Sequence, residues 1–303
     1  MNPKLAPLHA QLSTILLGKR TQIGHCLCCL LANGHLLIED VPGVGKTTLA
    51  QALARALGLH FSRVQFTADL MPSDLLGVSV FERNQGSFVF HPGPVFAQVL
   101  LADEINRASP KTQSALLEAM EERQVTAEGE TRKLPVPFFV LATQNPNEQV
   151  GTYPLPESQL DRFLMRISLG YPDRADEREL MRGQDRRTMV ASLQPALTPS
   201  ELLAMQQEVL QVHAADALLD YVQALVAATR TGRDFVQGLS PRAALALLRV
   251  AKAHAYLAGR DYAVPEDVQA IFLQTVAHRL VGTAQSDATV DDLLRELLAT
   301  TPV

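Results

Sequence analysis

A glycine-rich segment near the start of the chain has the residue types and spacing to hold phosphate groups. Its sequence is Asp40-Val41-Pro42-Gly43-Val44-Gly45-Lys46-Thr47-Thr48, between an apolar run and a helical stretch. Glycine lets the backbone curl so that its N–H groups point inward, and the start of a helix adds partial positive charge. In such a loop Lys46 contacts the β- and γ-phosphates, and the Thr47 hydroxyl binds Mg²⁺. The segment predicts a site for a nucleotide and Mg²⁺, with these binding residues: Pro42, Gly43, Val44, Gly45, Lys46, Thr47 and Thr48.

One position departs from the general phosphate-loop pattern. That pattern has a glycine six residues before the lysine, where this chain has Asp40. The central Pro-Gly-Val-Gly-Lys-Thr run is intact. We therefore expect nucleotide binding to be retained.

Two adjacent acidic residues, Asp103 and Glu104, follow a second apolar run. In an open α/β sheet, ligands bind at the carboxyl ends of the strands. We expect Asp103 to hold Mg²⁺, directly or through water, and Glu104 to act as general base on the attacking water. An Asp-Glu pair after a strand is a weak signal alone, because strands often end in solvated acids. It becomes a strong one downstream of a phosphate loop.

Three further residues are candidates for contact with the γ-phosphate or the attacking water. Asn145 follows a third apolar run, and its amide can orient the water if that strand neighbours the other two; a turn-forming Asn-Pro is the alternative. Arg162 and Arg242 can stabilise transition-state charge. Arg242 lies in the first turn of a predicted helix, where a cation opposes the helix dipole at a cost of ~0.3–1 kcal/mol. A surface arginine in a salt bridge is an equally good interpretation of each.

These residues require a sheet that brings several strand ends together. The N-terminal half alternates short apolar runs with helical stretches, which predicts an α/β fold with a parallel sheet and crossover helices. Most of the runs are continuously apolar, as expected for strands buried on both faces. The predicted strands span residues 36–39, 63–66, 99–103, 138–142 and 164–168.

Two stretches that a parallel sheet does not need are predicted to form β-hairpins. One spans residues 78–90 with a turn at Asn84-Gln85-Gly86, and the other spans residues 123–134 with a turn near Gly129. They are either decorative insertions or projections that contact a partner.

The chain after Gly170-Tyr171-Pro172-Asp173 is predicted to be helical, so we place a domain boundary there. This gives a nucleotide-binding domain over residues 1–170 and a helical lid over residues 171–303. Capping patterns mark three helix starts in the lid. They are Thr198-Pro199-Ser200-Glu201, Ser240-Pro241 and Val264-Pro265-Glu266-Asp267.

Composition limits the class of protein. The 303 residues are 47% apolar and 19% charged, which excludes a disordered chain and suggests about two domains. The net charge of −5 argues weakly against a dedicated nucleic-acid binder.

No run is long enough for a membrane helix, and no signal peptide is visible. Cys26, Cys28 and Cys29 are expected to pack a helix as small apolar residues, so the predicted compartment is the reducing cytoplasm.

Taken together, the motifs resemble those of the MoxR family of AAA+ ATPases over nearly the whole chain. The most specific segments are residues 39–47, 103–108, 142–146 and 155–163. The Asp40 loop is similar to a variant that this family uses. The resemblance implies an AAA+ P-loop core with a five-stranded parallel sheet, flanking helices and two β-hairpin inserts, followed by an all-α C-terminal lid domain.

The resemblance also implies a role for each candidate residue. In chain order these are Leu17 and Gly18 at the adenine, Lys46 and Thr47 in Walker A, Asp103 and Glu104 in Walker B, Asn145 as sensor 1, Arg162 as arginine finger and Arg242 as sensor 2. The hairpins at residues 78–90 and 123–134 match the helix-2 insert and the pre-sensor-1 hairpin. The role of Asn106 and Arg107 stays open.

The family implies a chaperone-like machine that binds ATP and Mg²⁺ and forms a ring, commonly a hexamer. Relatives remodel or mature proteins, sometimes help metal insertion, and often work with a separate von Willebrand factor A domain partner. One alternative is a nucleic-acid motor of the same clade, although neither hairpin carries a basic run. Another is a self-contained P-loop kinase or nucleotide-gated binding module, but no acceptor pocket is visible in the sequence.

Overall fold

The structure is a computed structural model that describes residues 1–84, 86–146, 150–232, 234–283 and 288–302. Its strands are β1 (Leu36–Glu39), β2 (Phe61–Gln65), β3 (Gly77–Glu82), β4 (Ser87–Pro92), β5 (Val99–Asp103), β6 (Gln124–Ala127), β7 (Glu130–Lys133), β8 (Phe139–Gln144) and β9 (Met165–Ile167). Its helices are α1 (Ala6–Ile15), α2 (Arg20–Leu31), α3 (Lys46–Ala56), α4 (Pro72–Leu76), α5 (Pro110–Glu122), α6 (Glu157–Leu160), α7 (Arg174–Arg182), α8 (Arg186–Ser192), α9 (Pro199–Gln211), α10 (Asp216–Thr231), α11 (Pro241–Ala258), α12 (Pro265–Val276) and α13 (Val290–Thr300).

Five strands form the parallel sheet that the sequence predicts, in the order β2-β5-β8-β1-β9. Because all pairs are parallel, the carboxyl ends of the strands lie along one edge, where Glu39 pairs with Gln144 and Gln65 with Asp103. β8 lies between β1 and β5, so Asn145 follows a strand whose two neighbours end in the phosphate loop and the acidic pair. We call this the carboxyl edge of the sheet.

Strand positions agree with the prediction, while several boundaries differ. β2 starts at Phe61, two residues before the predicted start, and ends at Gln65; three of its five residues are polar. It is an edge strand of the sheet, so one side of it is less covered than the central strands and a continuous apolar run is not required. β5 and β8, in the centre, are almost entirely buried.

Both predicted hairpins are confirmed, and they contact each other. β3 pairs with β4 and β6 pairs with β7, each pair antiparallel. Glu128, in the turn of the second hairpin, accepts a hydrogen bond from the Ser79 backbone N–H at 3.2 Å. The Arg132 guanidinium lies 3.8 Å from the centre of the Phe90 ring. Gln85 of the predicted first turn lies outside the described residues.

All elements after β9 within the described part of the chain are helices, and the three predicted starts are confirmed. Thr198 and Glu201 form a reciprocal capping box at α9, and the Ser240 side chain caps α11. At α12 the Asp267 carboxylate accepts the Val264 N–H at 2.8 Å. The boundary between two domains at residue 170 stays a prediction.

Two apolar cores cover the two faces of the sheet. Alternate residues of β1 enter different cores: Leu36 and Ile38 join α1, α2, α3 and the C-terminal helices, whereas Leu37 joins α4 and α5. The first core therefore ties the C-terminal helices directly to the sheet. In the part of the chain that the structure describes, no helix is long and apolar enough to cross a membrane.

The three cysteines occupy the first core, as predicted. All are free thiols and fully buried in α2. Burial raises the pKa of Cys26 to about 12, and it raises the pKa of Cys28 and Cys29 as well. They act as small apolar side chains here, because the reactive thiolate form is disfavoured.

Candidate nucleotide site

The phosphate loop joins β1 to α3 with the backbone geometry that its glycines permit. Gly43 and Gly45 have φ of 86° and 101°, a region that other residues rarely adopt. Gly45 is the N-cap of α3, so the unpaired N–H groups of the first helical turn face the loop. The Lys46 ammonium donates to the carbonyls of Asp40 at 2.7 Å and Val41 at 3.1 Å. Partial burial lowers its pKa, opposed by nearby carboxylates, which include Glu104.

Asp40, the departure from the general loop pattern, is a buried tie between the loop and the end of β9. Its Oδ2 accepts hydrogen bonds from the backbone N–H groups of Leu169 at 2.6 Å and Gly170 at 2.7 Å, and from the Ser168 hydroxyl at 3.1 Å. Its Oδ1 accepts the Val41 N–H at 2.9 Å. A glycine could make none of these side-chain bonds. The aspartate therefore fixes the start of the loop to the segment that leads into the C-terminal helices.

Asp103 is held from two sides. Its Oδ1 accepts the Thr143 hydroxyl at 2.6 Å, and its Oδ2 accepts two N–H groups of Arg63 at 2.7 and 3.2 Å. The carboxylate is buried at the end of β5, and Thr143 comes from β8 beside it. These bonds fix the orientation of the carboxylate at the carboxyl edge.

Glu104 is positioned by a strained backbone and by two polar side chains. Its φ of 56° is in the left-handed region, which costs a non-glycine residue about 1 kcal/mol or more. Its N–H donates to the Thr143 hydroxyl at 2.9 Å. Its Oε2 accepts from Gln65 Nε2 at 2.7 Å and from Arg107 Nη1 at 3.0 Å. Both side-chain bonds end on one oxygen, so Oε1 is the oxygen that can accept from a water.

Asn145 lies half-buried at the end of β8, between the strand ends that carry the loop and the acids. The preceding residue, Gln144, donates to the Glu39 carboxylate of β1 at 2.5 Å. Arg166 donates to the other Glu39 oxygen at 3.0 Å. The neighbourhood of Asn145 is therefore fixed across three strands.

Leu17 and Gly18 lie in the turn between α1 and α2, beside the phosphate loop. A Cβ on Gly45 would stand 3.5 Å from the Leu16 side chain, and a Cβ on Gly18 would overlap the Asp176 carboxylate of α7. The turn is thus enclosed by the loop on one side and by α7 on the other. Residues 17 and 18 therefore lie close to the phosphate loop, and their contact with a nucleotide base stays a prediction.

Arg162 and Arg242 lie together, but at the other edge of the sheet. The Leu164 N–H donates to the His35 carbonyl at 2.8 Å, which places the segment containing Arg162 at the start of β1. Arg162 and Arg242 each form a salt bridge of 3.1 Å with Glu121, at the end of α5. β1 is four residues long, so this amino edge is separated from the carboxyl edge by roughly 13 Å of strand. The structure groups these arginines with each other and not with Lys46.

Several residues of the site were missed in the sequence. They are Arg63, Gln65, Thr143, Glu121 and Asp161. Arg63 and Gln65 are two residues apart on β2, so their side chains share one face of this edge strand, and this spacing was the available signal. Glu121 and Asp161 gave no signal, because their partners are distant in the sequence.

Comparisons with known proteins agree with this architecture. The sequence matches the ATPase family associated with various cellular activities (AAA) over residues 35–165 and an AAA lid domain over residues 227–297. It is 42% identical to Chaperone MoxR1 of Mycobacterium tuberculosis, over 95% of this chain and 78% of that protein. It is 34% identical to the MoxR protein of Paracoccus denitrificans, over 97% of this chain and 94% of that protein.

A solved structure supports the same assignment. A crystal structure of a Cytophaga hutchinsonii protein superposes with a TM-score of 0.90 at 37% sequence identity, covering 99% of this chain and 94% of that one. The two family models cover the phosphate loop and the acidic pair of this chain, together with part of its C-terminal helices. The chain belongs to the MoxR family of AAA+ ATPases.

Proposed function

We propose that this chain hydrolyses ATP at the contacts between copies of itself in a ring, a hexamer by analogy with the family, and uses the free energy to remodel or mature partner proteins. The observation that carries the proposal is the separation of two half-sites. Lys46, Asp103 and Glu104 occupy the carboxyl edge of the sheet, while Arg162 and Arg242 occupy the amino edge.

Two half-sites on opposite edges favour a head-to-tail arrangement. Arg162 and Arg242 share one carboxylate, so a phosphate that displaces Glu121 from one of them is within reach of both. Each chain would offer its carboxyl edge to one neighbour and its amino edge to the other. Such heterologous contacts generate a closed ring when the rotation between copies closes.

The donors at the carboxyl edge fit Mg²⁺. The Thr47 hydroxyl and the Asp103 carboxylate are hard oxygen ligands, and Mg²⁺ sites at nucleotides are completed by phosphate oxygens and water. The bonds from Thr143 and Arg63 hold Asp103 in one orientation toward this position. When bound, the ion neutralises charge on the β- and γ-phosphates.

Hydrolysis would proceed by attack of a water on the γ-phosphorus. Glu104 takes a proton from the water through Oε1, and Asn145 orients the water. The bond from the γ-phosphorus to the bridging oxygen breaks, leaving ADP and inorganic phosphate. Lys46 of one chain and Arg162 and Arg242 of the neighbour stabilise the charge that develops on the phosphate oxygens.

The first hairpin supports a protein client. Val78, Val80, Phe81 and Phe88 are about half exposed or more, and Phe81 and Phe88 pair directly across β3 and β4. Exposed apolar side chains suit contact with another protein, whereas a nucleic-acid motor needs cations for phosphates. The chaperone name of the Mycobacterium tuberculosis relative agrees with this choice. A separate von Willebrand factor A domain partner and a part in metal insertion belong to the same proposal.

Mixing two inactive variants tests the ring. Lys46→Ala removes the phosphate site of its own chain, and Arg162→Ala removes the arginine given to the neighbour. Each variant should be inactive alone. A one-to-one mixture should recover roughly a quarter of the wild-type turnover per chain, because about one interface in four joins an intact phosphate loop to an intact Arg162. The wild-type rate per chain should also rise with protein concentration and then saturate. No recovery, together with a flat concentration dependence, would contradict the proposal.

A further inference from the structure

A cleft on the amino edge contains more positive charge than its carboxylates can neutralise. Its volume is about 530 Å³, and it lies between α11, the end of α5 and the start of β1. Two carboxylates line it, Glu121 and Asp161. Six cationic side chains line it as well: Arg123, Arg162, Arg242, Arg249, Lys252 and Arg279.

Five of the six cations have a partner in the protein. Arg162 and Arg242 pair with Glu121, and Arg279 pairs with Asp161 at 2.7 Å. Arg123 donates to the carbonyls of Phe138 and Asn33, both at 3.0 Å, and Lys252 donates to the Leu210 carbonyl at 3.3 Å.

Arg249 is the exception. Within the part of the chain that the structure describes, its guanidinium makes no hydrogen bond or ion pair. Partial desolvation in the cleft lowers the pKa of Arg249, and the charge of Arg242 lowers it further, although Cys29 acts in the opposite direction. Its own charge also contributes to lowering the pKa of Arg123. Arg249 is exposed to solvent, so its donors are hydrated, and a phosphate oxygen can replace that water without breaking an ion pair.

The position of Arg249 links it to the proposed trans arginines. It lies seven residues after Arg242 on α11, which is two helical turns and about 10.5 Å along the same face. Both side chains line the same cleft as Arg162. An anion that enters this cleft to reach Arg162 and Arg242 therefore also approaches Arg249.

We propose that Arg249 is a third arginine that binds the phosphates of a nucleotide held by the neighbouring chain. The proposal rests on the ring function proposed above. Guanidinium groups present paired N–H donors that match phosphate oxygens, and among the described cations of the cleft Arg249 alone has donors that contact no protein acceptor. Unlike Arg162 and Arg242, it would not have to leave a carboxylate before binding.

The variants Arg249→Ala and Arg249→Lys test this role. Arg249→Ala should lower turnover at saturating ATP at least about tenfold, while Arg249→Lys, which keeps the charge without the paired donors, should lose less. Binding of fluorescently labelled ATP by dispersed chains should be unchanged in both, because the chain's own phosphate loop is intact. Arg295→Ala, which removes an exposed arginine of α13 paired with Asp292, is the matched control and should match the wild type.

Mixtures then locate the site. Arg249→Ala mixed with Lys46→Ala should recover activity, because the two lesions are on opposite edges. A mixture of Arg249→Ala with Arg162→Ala should not recover activity. Both substitutions are on the amino edge, so every interface lacks one of the two arginines. Wild-type turnover by Arg249→Ala and Arg249→Lys, or recovery in the second mixture, would overturn the inference. If Arg162→Ala itself keeps full turnover, the ring function fails instead, so the two failures are distinguishable.

Discussion

Arg162 and Arg242, which are 80 residues apart in the sequence, bind the two oxygens of one carboxylate. Arg162 Nη1 lies 3.1 Å from Glu121 Oε2, and Arg242 Nη2 lies 3.1 Å from Glu121 Oε1. This pairing offsets the cost of a cation in the first turn of α11. It also joins a residue just after α6 to a residue of the C-terminal helices. The two arginines therefore form one unit at the amino edge.

The first prediction concerns where Arg242 acts. Because it shares Glu121 with Arg162, we expect it to serve the nucleotide of the neighbouring chain and not its own. Arg242→Ala mixed with Lys46→Ala should then recover turnover, whereas Arg242→Ala mixed with Arg162→Ala should stay inactive. If Arg242 served the nucleotide of its own chain, the mixture with Lys46→Ala would stay inactive. In that mixture the chains with an intact phosphate loop are those that lack Arg242.

The second prediction separates Glu104 from the residue that holds it. Glu104→Gln should lower turnover about 10²–10⁴-fold, the usual range for loss of a general base, with ATP affinity retained. Gln65→Ala removes one of two hydrogen bonds to Glu104 Oε2 and should change turnover by tenfold or less in either direction. Single-turnover hydrolysis and labelled-ATP binding measure the two quantities. Equal losses in both variants would mean that Glu104 is not the base.

The third prediction concerns Asp40. Asp40→Gly restores the general loop pattern but removes side-chain bonds to the backbone N–H groups of Leu169 and Gly170. We expect amide hydrogen exchange at these two positions to accelerate, because hydrogen bonds to a charged acceptor contribute about 1.5–3 kcal/mol each. ATP affinity should fall several-fold, because the start of the phosphate loop loses its tie to the end of β9. Asp40→Asn keeps one carbonyl acceptor and should lie between glycine and the wild type. Unchanged exchange at residues 169 and 170 in Asp40→Gly would contradict the role of the tie.

These residues also show what the sequence could and could not predict. Lys46 lies in the loop-to-helix segment after β1, Asp103 and Glu104 lie at the end of β5, and Asn145 follows β8, so their chemistry and their common edge could be predicted from local patterns. The tie of Asp40 to residues 168–170 depends on β1 and β9 being neighbours, which no local pattern specifies. The same holds for Glu121, because its place in the site depends on ion pairs with two arginines that are distant from it in the sequence.

The last prediction uses Asp267, which holds the end of α11 to the start of α12. Burial by itself would raise the pKa of this carboxyl, but hydrogen bonds from His254, Arg260 and the Val264 N–H lower it to about 2. A depressed carboxyl pKa stabilises the folded state above the unfolded pKa of about 4, and this contribution is lost as pH falls toward 2. With a folded pKa of about 2 and an unfolded pKa of about 4, the Asp267 carboxyl contributes ~2 kcal/mol to the free energy of unfolding at pH 7.

Urea unfolding of Asp267→Asn and the wild type at several pH values measures this contribution. The difference in the free energy of unfolding should be constant from pH 7 to about pH 5 and should narrow below pH 4, by roughly 1 kcal/mol at pH 3. Asp216→Asn, at the exposed start of α10, is the control and should differ from the wild type by less than about 0.5 kcal/mol at each pH. A difference that stays constant down to pH 3 would show that the Asp267 carboxyl has an ordinary pKa in the folded protein, and that its bonds to His254 and Arg260 do not favour the charged form.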